Sequence, residues 1–495
     1  MHSPNWSDKV LKALLKDSAI YAFPSFVSRG LTLILVPLYT RILSPSDFGA
    51  LDMFLTFGVL MNMIVALEVS QGVARLYIDE KDAQRRRAYV SSAFWFTLMA
   101  YSLFFLLCLF CAPTIATWVV GRDDLQSEFI ACVAYIVVNG MFYLLQNQFR
   151  WEMRSRRYAE ASLVVSFGTA AAVVLLAYAF KGGLLGFLIG MLIGSTLGLA
   201  YGLWWLRRSI AFAVDIRRLK EMLLYSLPLV PSGAAVWLGG YTDRLMINHY
   251  LSLTDVGLYG VGMRLSSLVG LLVAGVQGAL MPLIIAHYRE PQTPAQLARV
   301  FRLFVCAGLA FFVGLSLMAQ DLLAVMTTPD FYASAQLVIY LVPAAMLAQM
   351  YIFAPGISIA KKTHLYLWLN LAGALVNAAL SWKLISVLGL EGAAIATLVG
   401  SACVFALSMV ISQRLYFVPH RWGRLISAVV LAVMLVGGLS QLTLLGVHSV
   451  WVTFASMGLL IAILMFTGLI EPNEMKHAWA WVRARLFKTS GAIGK

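Results

Sequence analysis

Apolar residues along this chain fall into long runs that short polar segments separate. Each run has about twenty residues, the length at which an α-helix crosses the hydrocarbon core of a bilayer. The pattern predicts an all-α integral membrane protein with about 14 transmembrane helices. Their approximate positions are residues 19–40, 49–73, 88–112, 129–147, 160–180, 184–206, 223–248, 255–285, 299–320, 334–359, 365–384, 389–412, 425–446 and 448–470.

The composition agrees with this pattern. Of the 495 residues, 61% are hydrophobic and 12% are charged, whereas a soluble domain is about 25% charged. The mean hydropathy is +0.82. Because the gaps between the apolar runs are short loops, the chain leaves no room for a soluble domain.

The chain contains an internal repeat. Residues 43–49, LSPSDFG, return at residues 251–257 as LSLTDVG, with an offset of 208 residues. A second pair, GLLG at Gly183 and GLEG at Gly389, has an offset of 206 residues. Two motifs at nearly the same offset indicate a duplicated unit, and self-similarity of this kind defines the architecture of a chain.

Each copy of the repeated turn places an aspartate and a glycine where a span begins. These residues are Asp47 and Gly49 in the first copy and Asp255 and Gly257 in the second. We expect each aspartate to cap the following helix on the periplasmic side, because a carboxylate there accepts free backbone N–H groups. Six spans separate equivalent positions, so the two copies run in the same direction, as parallel repeats do.

The repeat also sets the expected domain boundaries. We predict an N-lobe at 1–206, a cytoplasmic amphipathic linker at 207–222, a C-lobe at 223–412, and spans 13 and 14 with a basic tail at 413–495. Membrane proteins built of two similar halves usually place the substrate site between them. The two six-helix lobes are therefore expected to surround a central cavity.

The 37 Lys and Arg residues cluster in alternate loops. Thirty lie in the two terminal segments and in the loops of one side, whereas the loops of the other side hold four: Arg41, Arg122, Lys181 and Lys383. Cytoplasmic loops carry the excess of basic residues, so both termini are predicted to be cytoplasmic. The net charge of +14 then reflects topology and contact with anionic membrane lipid, and no nucleic-acid partner is expected.

Two arginines lie deep inside predicted spans. Arg29 is ten residues into span 1 and Arg264 is nine residues beyond Asp255, each about 15 Å from a membrane surface at the rise of an α-helix. An arginine that faces lipid at the bilayer centre costs at least about 2.5–3.5 kcal/mol. We expect both guanidinium groups to face one cavity and bind an anion, since their planar fork fits phosphate oxygens. The alternative is that each pairs with carbonyls or a carboxylate inside its own lobe.

Three further charged residues inside spans allow two interpretations each. Asp243 and Arg244 lie near the periplasmic end of span 7, where they form a local ion pair or a gate. Glu68 lies near the cytoplasmic end of span 2. It either takes part in a proton or cation step or pairs with Arg75 at the surface.

Several catalytic signatures are absent from the sequence. There is no G-x-x-x-x-G-K-[ST] phosphate loop, no H-E-x-x-H and no G-x-S-x-G, so we expect no ATPase of its own. The seven histidines are scattered along the chain. We predict no cofactor, no metal site and no enzymatic activity.

These features together resemble the polysaccharide transporter family, the Wzx-type O-antigen/oligosaccharide flippases. The resemblance rests on the two repeated turns, on Arg29 within the sequence VSRG, on the GLxG starts of spans 6 and 12, and on the fourteen spans. This family belongs to the MOP superfamily, which also holds MATE exporters and lipid II flippases.

The resemblance implies a flippase in the bacterial inner membrane. Its substrate would be an undecaprenyl-diphosphate-linked oligosaccharide, moved from the cytoplasmic to the periplasmic leaflet for O-antigen, capsule or exopolysaccharide synthesis. Relatives line a cavity between the lobes with cations, a role that Arg29 and Arg264 match by helix and depth. The resemblance also implies rocking lobes, a coupling ion (H+ or Na+), and a polysaccharide polymerase and glycosyltransferases as partners.

Two other classes of protein stay open as alternatives. An ion-coupled multidrug exporter would share the two lobes, but it usually has twelve helices and a cavity rich in carboxylates, whereas the deepest charges here are arginines. A membrane-embedded glycan polymerase or ligase would carry catalytic residues in a large periplasmic loop. The longest outward loops here, residues 113–128 and 321–334, are too short for that.

Overall fold

The structure, a computed structural model, describes residues 35–270, 287–362, 364–444 and 449–470, with single residues or pairs between 27 and 31 and between 272 and 284. Throughout this part of the chain the elements are helices and turns, without a strand. Ten helices are long and apolar enough to cross a membrane, or eleven when the bent pair Ile216–Ala235 and Trp237–Tyr250 counts as one span. The prediction of an all-α, multi-pass membrane protein is confirmed.

The predicted number of fourteen spans is not confirmed. The spans predicted at 19–40 and 255–285 include many residues outside the described part. The last apolar helix, Trp451–Phe466, is shorter than the helices that qualify as spans. Arg29 and the basic tail at 471–495 also lie outside the described residues.

The described residues divide into two compact units. One lies within Met1–Val261, Val325–Phe331 and Asn377–Ala393, and the other within Gly262–Ala324, Tyr332–Val376 and Ala394–Lys495. The predicted lobes at 1–206 and 223–412 remain a proposal.

The part of the first unit up to Val261 contains nine complete helices and the beginning of a tenth. A π-helical turn, Val174–Ala179, extends the sixth. The fourth is a nine-residue apolar helix that overlaps the predicted loop 113–128. The helices are α1 (Pro45–Val65), α2 (Val69–Asp79), α3 (Ala83–Phe110), α4 (Ala112–Val120), α5 (Gln126–Trp151), α6 (Ser155–Val173), α7 (Gly183–Leu206), α8 (Ile216–Ser226), α9 (Leu229–Tyr250) and the start of α10 (Leu253–Ser266).

The second unit begins at Gly262, within α10. Its remaining helices are almost all of α11 (Thr293–Met326), α12 (Ala335–Gln349), the first half of α13 (His364–Leu388), most of α14 (Leu390–Leu415), α15 (Trp422–Leu444) and α16 (Ser449–Phe466). Pro343 lies inside α12, and Pro355 follows the short 3-10 helix Met350–Phe353 that comes after α12. The chain leaves the α-helix just before Pro355, whereas α12 continues through Pro343 although proline removes a backbone hydrogen bond.

Glycines spaced four residues apart along α7 let this helix pack closely on α6. A Cβ atom at Gly190 would lie 2.7 Å from the backbone nitrogen of Val173, and one at Gly194 would lie 2.5 Å from that of Thr169. Side chains at these positions would force the two helices apart. Such glycine ridges are common between membrane helices.

The linker after α7 ends in the amphipathic helix α8, which packs on α2 and α3. The Asp215 carboxylate caps it by accepting from the Arg218 backbone N–H at 3.2 Å. Met222 is completely buried, whereas Ile216 and Leu224 on α8 are 76% and 66% exposed. An apolar exposed surface on a helix rich in Arg and Lys suits the membrane interface.

Candidate functional site: the repeated turns and a buried ion-pair network

The two repeated turns have the same local structure. Ser44 precedes α1, where its Oγ accepts the Asp47 backbone N–H at 3.1 Å and donates to the Asp47 carboxylate at 2.8 Å. Ser252 precedes α10 and makes the same two bonds with Asp255, at 3.2 Å and 2.5 Å. The prediction that the aspartates cap these helices is therefore wrong. The serine hydroxyl reaches the free N–H group at the helix start, and the carboxylate then holds the hydroxyl in place.

The two turns lie against each other through their glycines. A Cβ atom at Gly49 would lie 1.8 Å from the carbonyl oxygen of Leu253, and one at Gly257 would lie 2.0 Å from that of Pro45. The first turns of α1 and α10 thus meet backbone to backbone, at a separation that only glycine permits. The two repeated turns are consequently on the same side of the membrane, as parallel repeats require.

One turn of helix beyond this crossing, a buried network of charges joins α1, α9 and α10. Arg244 on α9 donates from Nε to the Asp52 carboxylate on α1 at 2.6 Å. The same guanidinium group donates from Nη1 to the carboxylate of Asp243 at 3.2 Å. The hydroxyl group of Tyr259 on α10 donates to the other Asp243 oxygen at 2.6 Å.

The network is shielded from solvent. Asp243 is 2% exposed, Asp52 and Arg244 are each 9% exposed, and Tyr259 is completely buried. Two carboxylates share one guanidinium group, so every charge in the network has an opposite charge beside it. Removing one member of such a buried pair leaves an uncompensated charge, which is strongly destabilising. The network can therefore hold three helices together in one arrangement and release them when its bonds are broken.

Sequence reasoning found two members of this network and missed the others. Asp243 and Arg244 were predicted as a gate or an ion pair, and the structure places them in an ion pair with each other and with Asp52. A signal for Asp52 exists, because an aspartate inside an apolar span needs a partner. Its partner is 192 positions away, so the sequence alone does not identify it.

The structure describes only one of the two predicted cavity arginines. Arg264 lies in the last turn of α10, in the second compact unit, and its side chain is half-buried. The backbone carbonyl of Arg264 accepts a hydrogen bond from Ser267 at 2.6 Å. Arg29 lies outside the described residues. Their joint binding of an anion stays a prediction.

Glu68 lies where the predicted span 2 is broken into α1 and α2. The break falls at Leu67 and Glu68, which both have a left-handed backbone, with φ of 47° and 51°. The alternative partner Arg75 instead forms an ion pair with Asp79 at 2.8 Å. Glu68 lines a cavity of about 290 Å³ inside the first unit.

Metal-ligand clusters are not found in the described ranges, where no group of three or more His, Cys, Asp or Glu residues could hold a metal ion. The site consists instead of a close helix crossing, a buried ion-pair network and a partly polar cavity. These features suit the movement and closure of helices.

Comparison with known proteins identifies the family. The family model described as polysaccharide biosynthesis protein matches residues 14–287, more than half of the chain. The chain belongs to this family. The matched segment includes both repeated turns and the Asp52–Arg244 ion pair, and the predicted relationship to polysaccharide transporters is confirmed.

Two related proteins are similar to this chain over part of their length. The succinoglycan biosynthesis transport protein ExoT of Rhizobium meliloti is 26% identical over 278 residues, which cover 54% of this chain and 53% of that protein. A protein of the Lsg locus of Haemophilus influenzae is 23% identical over 298 residues, which cover 59% of this chain and 71% of that protein. The chain thus matches about half the length of ExoT.

Solved structures of two transport proteins share the fold of this chain. The lipid II flippase MurJ, in an inward closed conformation, matches with a TM-score of 0.68 at 13% identity, covering 90% of this chain and 97% of that one. An inward-facing multidrug resistance transporter of the MATE family matches with a TM-score of 0.63 at 14% identity, covering 80% and 94%. By their names these proteins are transporters or flippases, in agreement with the prediction that this chain is not an enzyme.

Proposed function

We propose that this protein is a flippase that moves an undecaprenyl-diphosphate-linked oligosaccharide from the cytoplasmic to the periplasmic leaflet of a bacterial inner membrane. The observation that carries the proposal is the family match across residues 14–287 in a chain with the fold of a lipid flippase. A charged sugar head group crosses hydrocarbon at prohibitive cost, because its polar groups find no partners there. A protein that surrounds the head group with polar groups removes this barrier.

Arg29 and Arg264 are the proposed ligands of the diphosphate. Both lie about 15 Å from a membrane surface at the rise of an α-helix, in different repeats. A guanidinium group presents two parallel N–H donors to phosphate oxygens. A ligand held by both would couple its own binding to a change in the arrangement of the helices that carry them.

An apolar cavity in the second unit is the proposed binding place for the polyprenyl chain. It has a volume of about 280 Å³ and lies among α11, α12, α14 and α15. Its lining includes Phe301, Pro343 and Phe405, with Leu425 and Val429 of α15. Every lining group is apolar, so the cavity suits a hydrocarbon chain and no part of a sugar. Helix α15, which lies outside the repeat, would thus help to bind the lipid.

The Asp52–Arg244 network and the Gly49–Gly257 crossing are proposed to close one side of the transport path. Both features join α1 of the first repeat to helices of the second repeat, next to the repeated turns. We propose that these turns are periplasmic, because the excess of basic residues lies in the loops of the other side. Opening toward the periplasm would then require the bonds of Arg244 to break.

The direct test is transport by the purified protein in liposomes. A lipid-linked oligosaccharide is included in the bilayer, and the fraction that an impermeant glycosidase digests is followed with time. The proposal expects the protein to make the inner-leaflet substrate accessible, and the Arg29→Ala variant not to do so. No gain in accessibility with any glycan-diphosphate lipid, together with export of cationic drugs by the same liposomes, would instead support a multidrug exporter.

A further inference from the structure

The cavity inside the first unit gathers polar side chains from helices that are otherwise apolar. It has a volume of about 290 Å³ and lies among α1, the start of α2, α3 and α5. Polar side chains inside membrane helices are costly without a partner, and they mark functional positions. The polar groups of the lining belong to Asn62, Glu68, Ser70, Thr97, Asn139, Tyr101 and Tyr143.

Two hydroxyl groups of this lining have unused hydrogen-bonding capacity. Those of Ser70 and Thr97 lack a partner among the described residues, although the two residues are only 6% and 1% exposed. A buried unpaired hydroxyl group is costly. A ligand that carries hydroxyl groups of its own can both donate to them and accept from them, whereas a hydrocarbon chain can do neither.

A hydrogen bond fixes another part of the lining. The buried Tyr101 donates from its hydroxyl group to the side-chain oxygen of Asn62 at 2.7 Å. A Cβ atom at Gly140 would lie 2.2 Å from the Tyr101 hydroxyl oxygen and 2.6 Å from that Asn62 oxygen, so glycine leaves the space in which this bond forms. Because Tyr101 engages the oxygen of Asn62, the amide N–H groups of Asn62 are left as donors for a ligand.

Tyr143 adds an aromatic ring at the exposed part of the lining. It is 49% exposed, whereas Tyr101 is 1% exposed. A tyrosine side chain combines an apolar ring with a polar tip. A pyranose ring is built in a complementary way, since its C–H groups form an apolar face and its hydroxyl groups lie around the edge.

We propose that this cavity binds one uncharged pyranose ring of the glycan head group. The ring of Tyr143 lies against the face of the sugar, and Asn62, Thr97 and Asn139 bond to its hydroxyl groups. The described lining contains no Lys or Arg, so the cavity suits a sugar better than the diphosphate. The proposal rests on the proposed function for the origin of the sugar, but its binding can be measured without transport.

Glu68 determines which sugars the cavity accepts. It is the residue that precedes α2, and the positive end of a helix favours an ionised carboxylate beside it. This carboxylate can accept hydrogen bonds from sugar hydroxyl groups, but it repels the carboxylate of an acidic sugar at short range. Neutral hexoses and N-acetylated hexoses are therefore the expected class, and uronic acids are excluded.

A polar stripe on α5 leads from the cavity to the predicted cytoplasmic end of this helix. Asn139, Tyr143, Gln146 and Arg150 follow one another at intervals of four, three and four residues, which places them on one helix face. Gln146 donates to the hydroxyl group of Ser162 on α6 at 2.7 Å. The stripe offers polar partners to a sugar that moves between the cytoplasmic surface and the cavity.

Saturation-transfer NMR on the purified full-length protein tests the proposal. The protein is placed in phosphatidylcholine nanodiscs, because detergents with a sugar head group would compete for the cavity. The probes are the methyl glycosides of glucose, galactose, mannose and N-acetylglucosamine, with methyl glucuronide as the charged counterpart. At least one neutral glycoside should bind the wild type in a saturable manner, and methyl glucuronide should bind at least about tenfold more weakly.

Variants of the lining separate the stacking, the hydrogen bonding and the charge. Tyr143→Leu and Asn139→Leu should each weaken binding of the neutral glycoside by about tenfold, whereas Tyr143→Phe, which keeps the ring, should bind it like the wild type. Glu68→Gln should bind methyl glucuronide as well as the neutral glycoside. The matched controls are Tyr178→Leu, at a tyrosine of α6's π-helical extension that is 57% exposed, and Ser195→Ala, at a buried unpaired hydroxyl group on α7. Both should keep wild-type binding.

Two results would overturn the proposal. One is that none of the four neutral glycosides binds the wild type. The other is that Tyr143→Leu and Asn139→Leu elute like the wild type and bind the glycoside as tightly. The liposome assay fails separately, since a protein that binds the glycosides but leaves the lipid-linked substrate inaccessible would keep the sugar site and contradict only the proposed transport.

Discussion

The guanidinium Nε atom of Arg244 lies 2.6 Å from the carboxylate of Asp52, and this bond joins α9 to α1. The two helices belong to different copies of the repeat, so the pair is an electrostatic link between the copies within the first unit. Asp243 and Tyr259 complete the bonding of its members. The link is buried, so salt screens it only weakly.

Replacing Arg244 by Ala should destabilise the protein by about 3–5 kcal/mol, because the carboxylates of Asp52 and Asp243 would then be buried without a cation. Asp52→Asn should cost less, since Arg244 keeps Asp243 as its partner. The unfolding of each purified variant in a graded series of denaturing detergent measures these differences.

An exposed ion pair at the first of the two repeated turns provides the control. Asp47 lies 3.7 Å from Arg122, and both side chains are one-third exposed. Exposed pairs contribute about 0–1 kcal/mol, so Asp47→Asn should change stability little beyond any loss at the helix start. Equal costs for Arg244→Ala and Asp47→Asn would show that the buried network is not a structural link.

The close approach of α1 and α10 at Gly49 and Gly257 gives a second prediction. Gly49→Ala should destabilise the protein by about 1–3 kcal/mol, because the new methyl group would overlap the carbonyl oxygen of Leu253 and push α10 away. Gly257→Ala should act in the same way through Pro45. Melting temperatures of the two single variants and of the double variant measure the effect, and the double variant should cost less than the sum because the first change already separates the helices.

Gly438 in α15 is the matched control, since a Cβ atom there would meet no other atom within 4 Å. Alanine in an open helical position favours the helix by about 1 kcal/mol over glycine. Gly438→Ala should therefore leave the protein equally stable or slightly more stable. A loss of stability equal to that of Gly49→Ala would contradict the argument from close approach.

Much of the fold could be predicted from the sequence because each helix that crosses a membrane needs a run of about twenty apolar residues. Apolar runs of span length identify α1, α3, α5 and α7 without tertiary information, and the repeat pairs the start of α1 with that of α10. Helix α4 was predicted as a loop. Its nine residues are too few to form a span, so the length of its apolar run does not identify it as a helix.

The finer features depend on contacts between distant residues. The break at Leu67 and Glu68 contains neither proline nor glycine, so nothing in the local sequence marks it. The serine caps could have been recognised, since S-x-x-D places an acid three residues after a helix-capping hydroxyl. Asp52 could be noted as a charge inside a span, but its pairing with Arg244 follows only from the packing of α1 on α9.

His420 gives a prediction for the pH dependence of stability. It lies in the connection between α14 and α15, where its ring packs edge-on against Phe301, with 4.6 Å between ring centroids. Neither ring nitrogen has a hydrogen-bond partner among the described residues. Burial lowers the pKa of His420 to about 4, because the charged ring would lose its hydration.

The sign of the effect follows from proton counting. Between the lowered pKa of about 4 and the unfolded value of about 6.5, the unfolded chain binds a proton at this position and the folded chain does not. Stability should thus fall as the pH drops through this range, by about 1–2 kcal/mol after allowance for the partly exposed ring. His420→Phe should remove this part of the dependence. An unchanged pH profile of the melting temperature in that variant would exclude His420 as its source.

The last prediction concerns the two arginines proposed to hold the diphosphate. Arg29→Ala and Arg264→Ala should each abolish transport in the liposome assay while leaving the protein inserted and of normal size on gel filtration. Arg29→Lys should restore only part of the activity, because an ammonium group is a point charge and lacks the two parallel donors that match phosphate oxygens. Arg75→Ala is the control, since Arg75 is an exposed arginine that pairs with Asp79 outside the proposed path. It should transport at the wild-type rate. Full activity of both Arg29→Ala and Arg264→Ala would mean that these arginines have a structural role and that the diphosphate binds elsewhere.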